Sequence, residues 1–451
     1  LYLYGAAAAL VLSFLVIAYL VTSAPATHNA RSHELLVLEP RRWFPERLTL
    51  GVWRALGLGG LALCILSGLI GTQFAVFNFN MTFFWVVFVL GFTYLTALVG
   101  DVFTLANPWN TFMAWTQRWR LTGGWQGRLR YPQKLAWYPA LLLYAGFIAL
   151  ELFSHMTPRL LSVVLAAYTL LNLLGAWLIG RADWFRYCEF FSVFFGLIAK
   201  AAPLECTEGR IKLRPPFAGL VGQRAQHFSL LLFILFMLSS TAFDGMHDTA
   251  VWVGGFWVYI YHALTPLFGS NIVETYPLFA RLYLLYQVLG LLLSPFLYLL
   301  VYLACLAAAK RLARSTLPLR ELALRFAHSL IPIALVYNLT HYFTLIVSQG
   351  TQIMRLVSDP FGYGWNLFGT AHWLQQPITP GMGLVWHTQV ALILFGHIVS
   401  GYLSHLEALT LFPARRRTVL SQIPMLILMV AYTTAGLWIL AQPITAPPNP
   451  G

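Results

Sequence analysis

Five ionisable side chains lie at the ends of three strongly apolar segments. Asp244, His247 and Asp248 belong to the sequence FDGMHD, His341 to THYFTLIVSQG, and His387 to WHTQ. Ionisable residues in segments of membrane-spanning length are costly to bury and usually serve a function. Imidazole together with carboxylate suits Zn, Cu or Fe. We therefore predict a divalent transition metal bound by His247, His341 and His387, with Asp244 and Asp248 as catalytic groups beside it.

A second set of ionisable residues lies toward the opposite ends of the same kind of segment. Its members are His397, His405, His328, His227 and Asp101. Chains of buried His and Asp serve proton relays in membrane proteins, so this set could form an inner site or a relay. Hydrogen bonds between helices explain the same residues equally well. Both interpretations stay open at this stage.

Haem b is a competing use of the histidines. Ligation by two imidazoles needs both at one depth on neighbouring helices. His341 with His387, or His328 with His405, would satisfy that requirement. The spacing within each helix favours a haem less than a metal ion, because His328 and His341 are about 140° apart in direction on one helix.

The pattern of apolar and basic residues predicts the elements that position both sets. About ten segments approach the roughly 20 apolar residues that a membrane-spanning helix needs. Connections rich in Lys and Arg alternate with connections that have almost none, and short basic connections stay in the cytoplasm. We predict an all-α, polytopic transmembrane helical bundle of about ten spans with both termini outside, residues 1–451 forming one transmembrane domain. The spans are predicted near residues 1–22, 51–72, 81–104, 135–153, 159–180, 225–245, 277–308, 321–350, 383–408 and 418–441.

This topology brings the first set of residues to one depth. His341 lies roughly 30 Å along an outward-running span, which is the level at which Asp244 ends one span and His387 begins another. Tyr337 and His341 also share a helical face with Thr344, Ser348 and Gln352. A histidine on such a polar stripe is a better candidate for a ligand than a histidine on an apolar helix.

The composition excludes several classes of protein. The chain is 59% hydrophobic and 10% charged, whereas soluble domains carry about 25% charged residues. The formal charge of +13 follows the alternation of the connections and forms no basic run interleaved with aromatics, so we expect no nucleic-acid partner. The lipid bilayer is the predicted partner.

Three segments outside the predicted spans are expected to be ordered. Residues 184–201, which mix aromatics with Arg and Glu, are predicted to form an interfacial helix. The connections 246–276 and 351–381 are long and rich in aromatics and glycine. Ordered connections of this length usually cover a site or seat a partner.

Several motifs resemble one family of bacterial membrane proteins. They are YGAAAALVLSFLVIAYL, GDVFTLANPWNTF, STAFDGMHDT, THYFTLIVSQG and WHTQVALILFGHIVSGYLSHLEAL, and together they cover most of the chain. They are similar to multi-spanning proteins known as fenitrothion hydrolase-like. The resemblance implies a membrane-bound bacterial enzyme, in the cytoplasmic (inner) membrane, that hydrolyses an organophosphate triester. The predicted His/Asp metal site would activate the water for hydrolysis of such an apolar ester. His247, His341, His387 and His397 lie within these motifs, as do both aspartates.

Two other functions compete with hydrolysis. A redox subunit of a membrane complex would use the histidines for haem or copper, with further membrane or periplasmic subunits as partners. A proton-coupled or metal transporter would use them as a relay from His387 through His397 to His405.

The predicted topology can be tested by single-cysteine labelling. Cysteines placed in 246–276 or 351–381 should react with an impermeant reagent on intact cells, whereas those at 210 and 416 should react only after permeabilisation. The background is a variant without the four native cysteines. Labelling at 416 in intact cells would show that the spans are inverted or miscounted.

Overall fold

The helices account for most of the chain. The computed structural model describes residue 11 and residues 36–38, 46–118, 127–207, 210–268, 272–374, 376–412 and 415–441. The helices are α1 (Glu46–Ile70), α2 (Phe79–Val99), α3 (Val102–Ala106), α4 (Pro108–Arg118), α5 (Tyr138–Phe153), α6 (Pro158–Ile179), α7 (Arg181–Tyr187), α8 (Phe190–Ile198), α9 (Phe228–His247), α10 (residues 250–268), α11 (Ile272–Leu312), α12 (Leu319–Ser348), α13 (Ile353–Ser358), α14 (Met382–Leu411) and α15 (Arg415–Leu440). Strands β1 (Leu36–Leu38), β2 (Leu204–Thr207) and β3 (Arg210–Leu213) form a small antiparallel sheet in the order β1-β3-β2.

Eight helices of the described chain are long and apolar enough to cross a bilayer. They are α1, α2, α6, α9, α11, α12, α14 and α15. The prediction of a multi-pass, helical membrane protein is therefore confirmed. The predicted span at 135–153 corresponds to α5, which has only 16 residues. The predicted span at 1–22 lies outside the described residues except for Val11, so the count of ten and the side of the termini stay predictions.

Helix α9 forms the centre of the bundle. In its most apolar stretch 83% of the residues are buried, against 17–50% in the other seven candidate spans. A helix that is apolar all round is typical of a position enclosed by other helices. Helices α5, α11, α12 and α15 pack against α9, and α14 packs against α12 and α15. Residues at the end of α9 can therefore meet residues from several spans.

Several of the described helices depart from α geometry, among them α2 and α12. Helix α2 contains a π-helical segment at Thr82–Gly91. Helix α12 contains one 3-10 turn at Ala327–Leu330, just before Pro332. Proline lacks the N–H that a continuous α-helix requires and crowds the preceding turn, which explains this break. His328 lies in the break.

Residues 181–201 form a helical hairpin inside the bundle. Helices α7 and α8 are its two limbs, and Glu189 lies between them. The Tyr168 hydroxyl, halfway along α6, donates to Glu189, so the apex reaches the middle of the neighbouring span. Phe190, Phe191 and Phe195 are at most 3% exposed. The prediction of an interfacial helix was wrong, because the aromatic face of this segment packs on protein rather than on lipid headgroups.

The Glu189 carboxylate is fully used by donors around it. Oε1 accepts from the Tyr168 hydroxyl at 2.5 Å and from the Phe191 N–H at 3.0 Å. Oε2 accepts from the N–H and the hydroxyl of Ser192, at 2.7 and 2.6 Å. A negative charge at this position is also stabilised by the positive, N-terminal end of the α8 helix dipole. These bonds allow a carboxylate to lie buried where an unpaired charge would not be tolerated.

Two segments from outside the hairpin bond it, one beside its apex and one at the end of α8. Asn107, in the motif GDVFTLANPWNTF, caps α4 through the Asn110 N–H and donates its own amide to Ser192. Arg214, beside β3, donates to the backbone carbonyls of Ala199 and Ala202 at the end of the hairpin. A guanidinium at this place satisfies carbonyls that a helix C-terminus leaves open.

Replacing Glu189 should destabilise the protein. Glu189→Ala leaves the Tyr168 hydroxyl and the N–H groups of Phe191 and Ser192 without their acceptor, so we expect a loss on the order of 3 kcal/mol. Tyr168→Phe removes one donor and should cost about 1 kcal/mol. Thermal unfolding in detergent measures both variants. Equal unfolding midpoints for Glu189→Ala and the parent protein would contradict this account of the hairpin.

Candidate functional site

Asp244 is the centre of a hydrogen-bonded cluster near the end of α9. Its Oδ2 lies 2.8 Å from His341 Nε2 and accepts from the Tyr342 hydroxyl at 2.6 Å. Both partners belong to α12, so one carboxylate joins two candidate spans. Gly245 permits this approach: a Cβ there would lie 2.7 Å from Ile439 and 3.3 Å from the His341 ring. A larger residue there would require the side chains of Ile439 and His341 to shift.

Asp244 and Glu151 open onto the same small cavity. The cavity has a volume of about 30 Å³, which is room for one or two water molecules. Asn338 and Tyr342 of α12, four residues apart, line it together with Glu151 of α5 and Phe190 of the hairpin. The Asn338 Oδ1 atom is buried and accepts no hydrogen bond from a described residue. Two acids and an unsatisfied amide oxygen therefore share one small space.

The ring nitrogens of His341 indicate how charge is distributed. Nδ1 is buried and has no partner among the described residues, while Nε2 faces Asp244. A buried N–H without an acceptor is rarer and costlier than a buried lone pair without a donor. The neutral ring with its proton on Nε2 fits this environment. Asp244 then accepts two hydrogen bonds as a carboxylate.

Glu151 lacks the hydrogen-bond donors that stabilise the Asp244 carboxylate. It hydrogen-bonds to no side chain in the part of the chain that the structure describes, although it faces the cavity and interacts with the charge of Asp244. Phe190, Phe191 and Phe194 of α8 lie on the cavity wall. Glu151 is thus an acid in a mainly apolar setting, opposite a second acid that is firmly bonded.

His247 and Asp248 lie beside this cluster. His247 is 7% exposed, its Nδ1 is 2.7 Å from the Asp244 backbone oxygen, and its ring stacks on Phe243. The Asp248 side chain is 62% exposed, with Oδ1 3.5 Å from His247 Nε2. Both His247 nitrogens therefore have protein partners, and Asp248 lies at the rim rather than in the cavity.

The predicted metal ligands come together only in part. Asp244, His247 and His341 are neighbours, but His387 is exposed on α14. Within the described ranges, no three His, Cys, Asp or Glu side chains are arranged to hold a metal ion. His341 Nε2 and His247 Nδ1 already face oxygens of Asp244. The geometry thus does not fit a metal bound by the three histidines.

The second set of residues is dispersed. His397 and His405 of α14 bond Thr433 and Gln422 of α15, at 3.0 and 2.7 Å. His328 lies 3.1 Å from Lys200 Nζ at the end of the hairpin.

The two remaining members of that set cap helices. His227 caps α9, where its Nδ1 accepts from the Ser229 N–H, and Asp101 caps α3 through the Thr104 N–H. Of the two interpretations offered by the sequence, bonds between helices describe His397 and His405. None of the five residues joins the Asp244 cluster.

Sequence reasoning missed Glu151, Asn338 and Tyr342. Glu151 stands within the apolar stretch 135–153, so the rule that drew attention to Asp244 applies to it equally. Asn338 and Tyr342 lie four residues apart on α12, on a face adjacent to the predicted polar stripe. Thr344 of that stripe is exposed, so the stripe does not face the interior as a whole.

Two histidine variants distinguish the observed cluster from the predicted metal site. His341→Ala removes a bond to Asp244 and should lower stability by about 1–3 kcal/mol, whereas His387→Ala changes an exposed residue and should leave stability unaltered. Thermal unfolding and elemental analysis of the purified proteins measure both effects. Stoichiometric metal that both variants lose to the same extent would restore the metal site and contradict the arrangement described above.

Comparisons with known proteins add no family assignment. No family model, curated protein or solved structure matches this chain. The resemblance to fenitrothion hydrolase-like proteins therefore stays a prediction.

Proposed function

We propose that the protein is a proton-coupled membrane protein, with Glu151 as the group that takes up and releases the proton. Asp244 acts as the fixed negative charge opposite it. The main support for this proposal is that the two acids share one small cavity, whereas in the described part of the chain only Asp244 is hydrogen-bonded, by His341 and Tyr342. This is the transporter class among the functions that the sequence leaves open.

Electrostatics favours uptake of a single proton. Two carboxylates that face one small cavity repel each other, and a site of low polarity screens this repulsion weakly. Binding one proton removes the repulsion. Asp244 keeps its charge because two donors stabilise the carboxylate form, so the proton goes to Glu151. Intramembrane acids in this situation serve as relays in pumps and transporters.

Access to the site is asymmetric. Glu151 lies near the end of α5, about 20 Å from Tyr138 at the end that follows the basic connection. Phe190, Phe191 and Phe194 of α8 line the cavity, and we infer that they close it toward that connection. Protons would therefore exchange with the side away from the basic connections. Movement of the hairpin would be required to open the other side.

Hydrolysis, implied by the resemblance, with the metal site predicted from the histidines is a separate hypothesis. Phosphotriester cleavage by a metal site needs an activated water and a cation on the phosphoryl oxygen. The three histidines predicted as ligands do not converge on one point. We therefore favour proton exchange over metal-assisted hydrolysis as the function. Assaying the purified protein with an organophosphate triester, with and without Zn²⁺, tests hydrolysis independently.

The cellular setting is also a proposal. We propose a bacterial cytoplasmic membrane with basic connections in the cytoplasm, supported by the distribution of Lys and Arg and by the resemblance. Ten spans with both termini outside belong to the same proposal, with α5 and residues 1–22 completing the eight long helices. Further membrane or periplasmic subunits would be partners on the exposed aromatic connections.

Infrared difference spectroscopy tests the proton-exchange site directly. Spectra of the reconstituted protein taken between about pH 5 and about pH 8 should contain one protonated-carboxyl band, from Glu151, because exposed acids titrate at lower pH. Glu151→Gln should remove this band, since glutamine has the same shape and cannot release the proton. Tyr342→Phe should weaken it by making Asp244 compete for the proton.

Glu274→Gln is the matched control. Glu274 is exposed at the start of α11, so its replacement should leave the band unchanged. A band that survives in Glu151→Gln but disappears in Asp244→Asn would reverse the two roles. Absence of any such band in the parent protein would contradict the proposal.

A further inference from the structure

A larger, apolar chamber lies beside the polar cavity. Its volume is about 320 Å³, at the lower end of the range of small-molecule sites, about 300–1,000 Å³. Residues of α2, α5, α6 and α8 line it. Only Trp85 and Tyr168 among the lining side chains carry an N–H or O–H group, and the Tyr168 hydroxyl donates to Glu189. The chamber therefore suits an apolar occupant.

The chamber is closed inside and open toward the outer surface of the bundle. Leu161 and Leu165 of α6 are 1% and 3% exposed on its inner wall. Leu142 and Leu150 of α5 are 73% and 40% exposed at its edge. Helices α2 and α6 beside it are candidate membrane spans. The open side consequently faces the hydrocarbon of the bilayer.

Three phenylalanines separate the chamber from the polar cavity. Phe147, Phe190 and Phe191 line both spaces. Their rings are in contact, with centroids 5.1 Å apart for Phe147 and Phe190 and 4.0 Å apart for Phe190 and Phe191. A molecule in the chamber would lie one aromatic layer from the cavity that holds Glu151.

We propose that the chamber binds one hydrocarbon chain of a bilayer lipid, which enters between α5 and α6. Burying a chain against apolar walls contributes favourable contacts that the surrounding bilayer does not provide at such density. The chain would press on Phe147 and Phe190, the residues that wall the polar cavity. This proposal is independent of proton exchange at Glu151, because none of its lining side chains titrates in the neutral range.

Gly146 offers a way to fill the chamber without disturbing the helices. It lines the chamber in the middle of α5, and a Cβ there would meet nothing within 4 Å. Gly146→Phe should occupy the space of the chain. Gly146→Ala adds one methyl group and should stabilise α5 slightly, because alanine favours a helix more than glycine does. Gly59 of α1 is also exposed and open around its Cβ, so Gly59→Phe controls for added aromatic bulk.

Photolabelling in nanodiscs tests the proposal. The probe is a phospholipid with a diazirine in its acyl chain, present at low mole fraction and mapped by mass spectrometry after digestion. We expect labelling of the lining residues of α5 and α6 that saturates with probe and is competed by unlabelled lipid. Gly146→Phe should reduce it by at least about tenfold, whereas Gly146→Ala and Gly59→Phe should leave it unchanged.

The alternative outcomes are equally distinct. Labelling that follows lipid exposure around all helices and does not saturate would mean bulk bilayer contact only and would overturn the proposal. Persistence of the labelling in Gly146→Phe, with an unaltered unfolding midpoint, would also overturn it. Either result would leave the infrared band of Glu151 unaffected, so failure here is distinguishable from failure of the proposed function.

Discussion

The carboxylate of Asp244 is the constraint around which the bundle is organised. It lies near the end of the most deeply buried helix, where an unpaired charge would be costly, and its neighbours on α12 supply the donors that it needs. Gly245 gives α9 the close approach that these bonds require. Because α9 is enclosed by other helices, its position fixes where Glu151 can stand relative to Asp244. The polar cavity is a consequence of that arrangement.

Aromatic packing is the second interaction that shapes the two cavities. The hairpin α7–α8 places phenylalanines at the middle of the bundle, and those rings wall both the polar cavity and the apolar chamber. The hairpin can lie there because Glu189 at its apex is bonded to four donors. Asn107 bonds Ser192 beside the apex, and Arg214 bonds the end of α8. A buried polar apex thus supports an apolar partition. Any motion that joins the two spaces must first disturb these bonds.

The sequence predicted the helical membrane architecture and part of the site, for identifiable physical reasons. Apolar length and charge alternation are local properties, so most spans could be located, and Asp244, His247 and His341 were rightly placed at one level. Which helices are neighbours is not a local property, so the exposure of His387 could not be foreseen. Residues 184–201 were misread because an amphipathic segment beside basic residues has the same composition on a membrane surface as in a protein-lined hairpin. Glu151 was overlooked although its apolar context was visible in the sequence.

The most direct test of the central claim is an experimental structure of the protein in nanodiscs near neutral pH. The account predicts that Glu151 and Asp244 face one small cavity, that His341 and Tyr342 both contact Asp244, and that ordered density for one or two waters lies between the two acids. A structure in which Glu151 points into lipid, or in which packed side chains separate it from Asp244, would contradict the account.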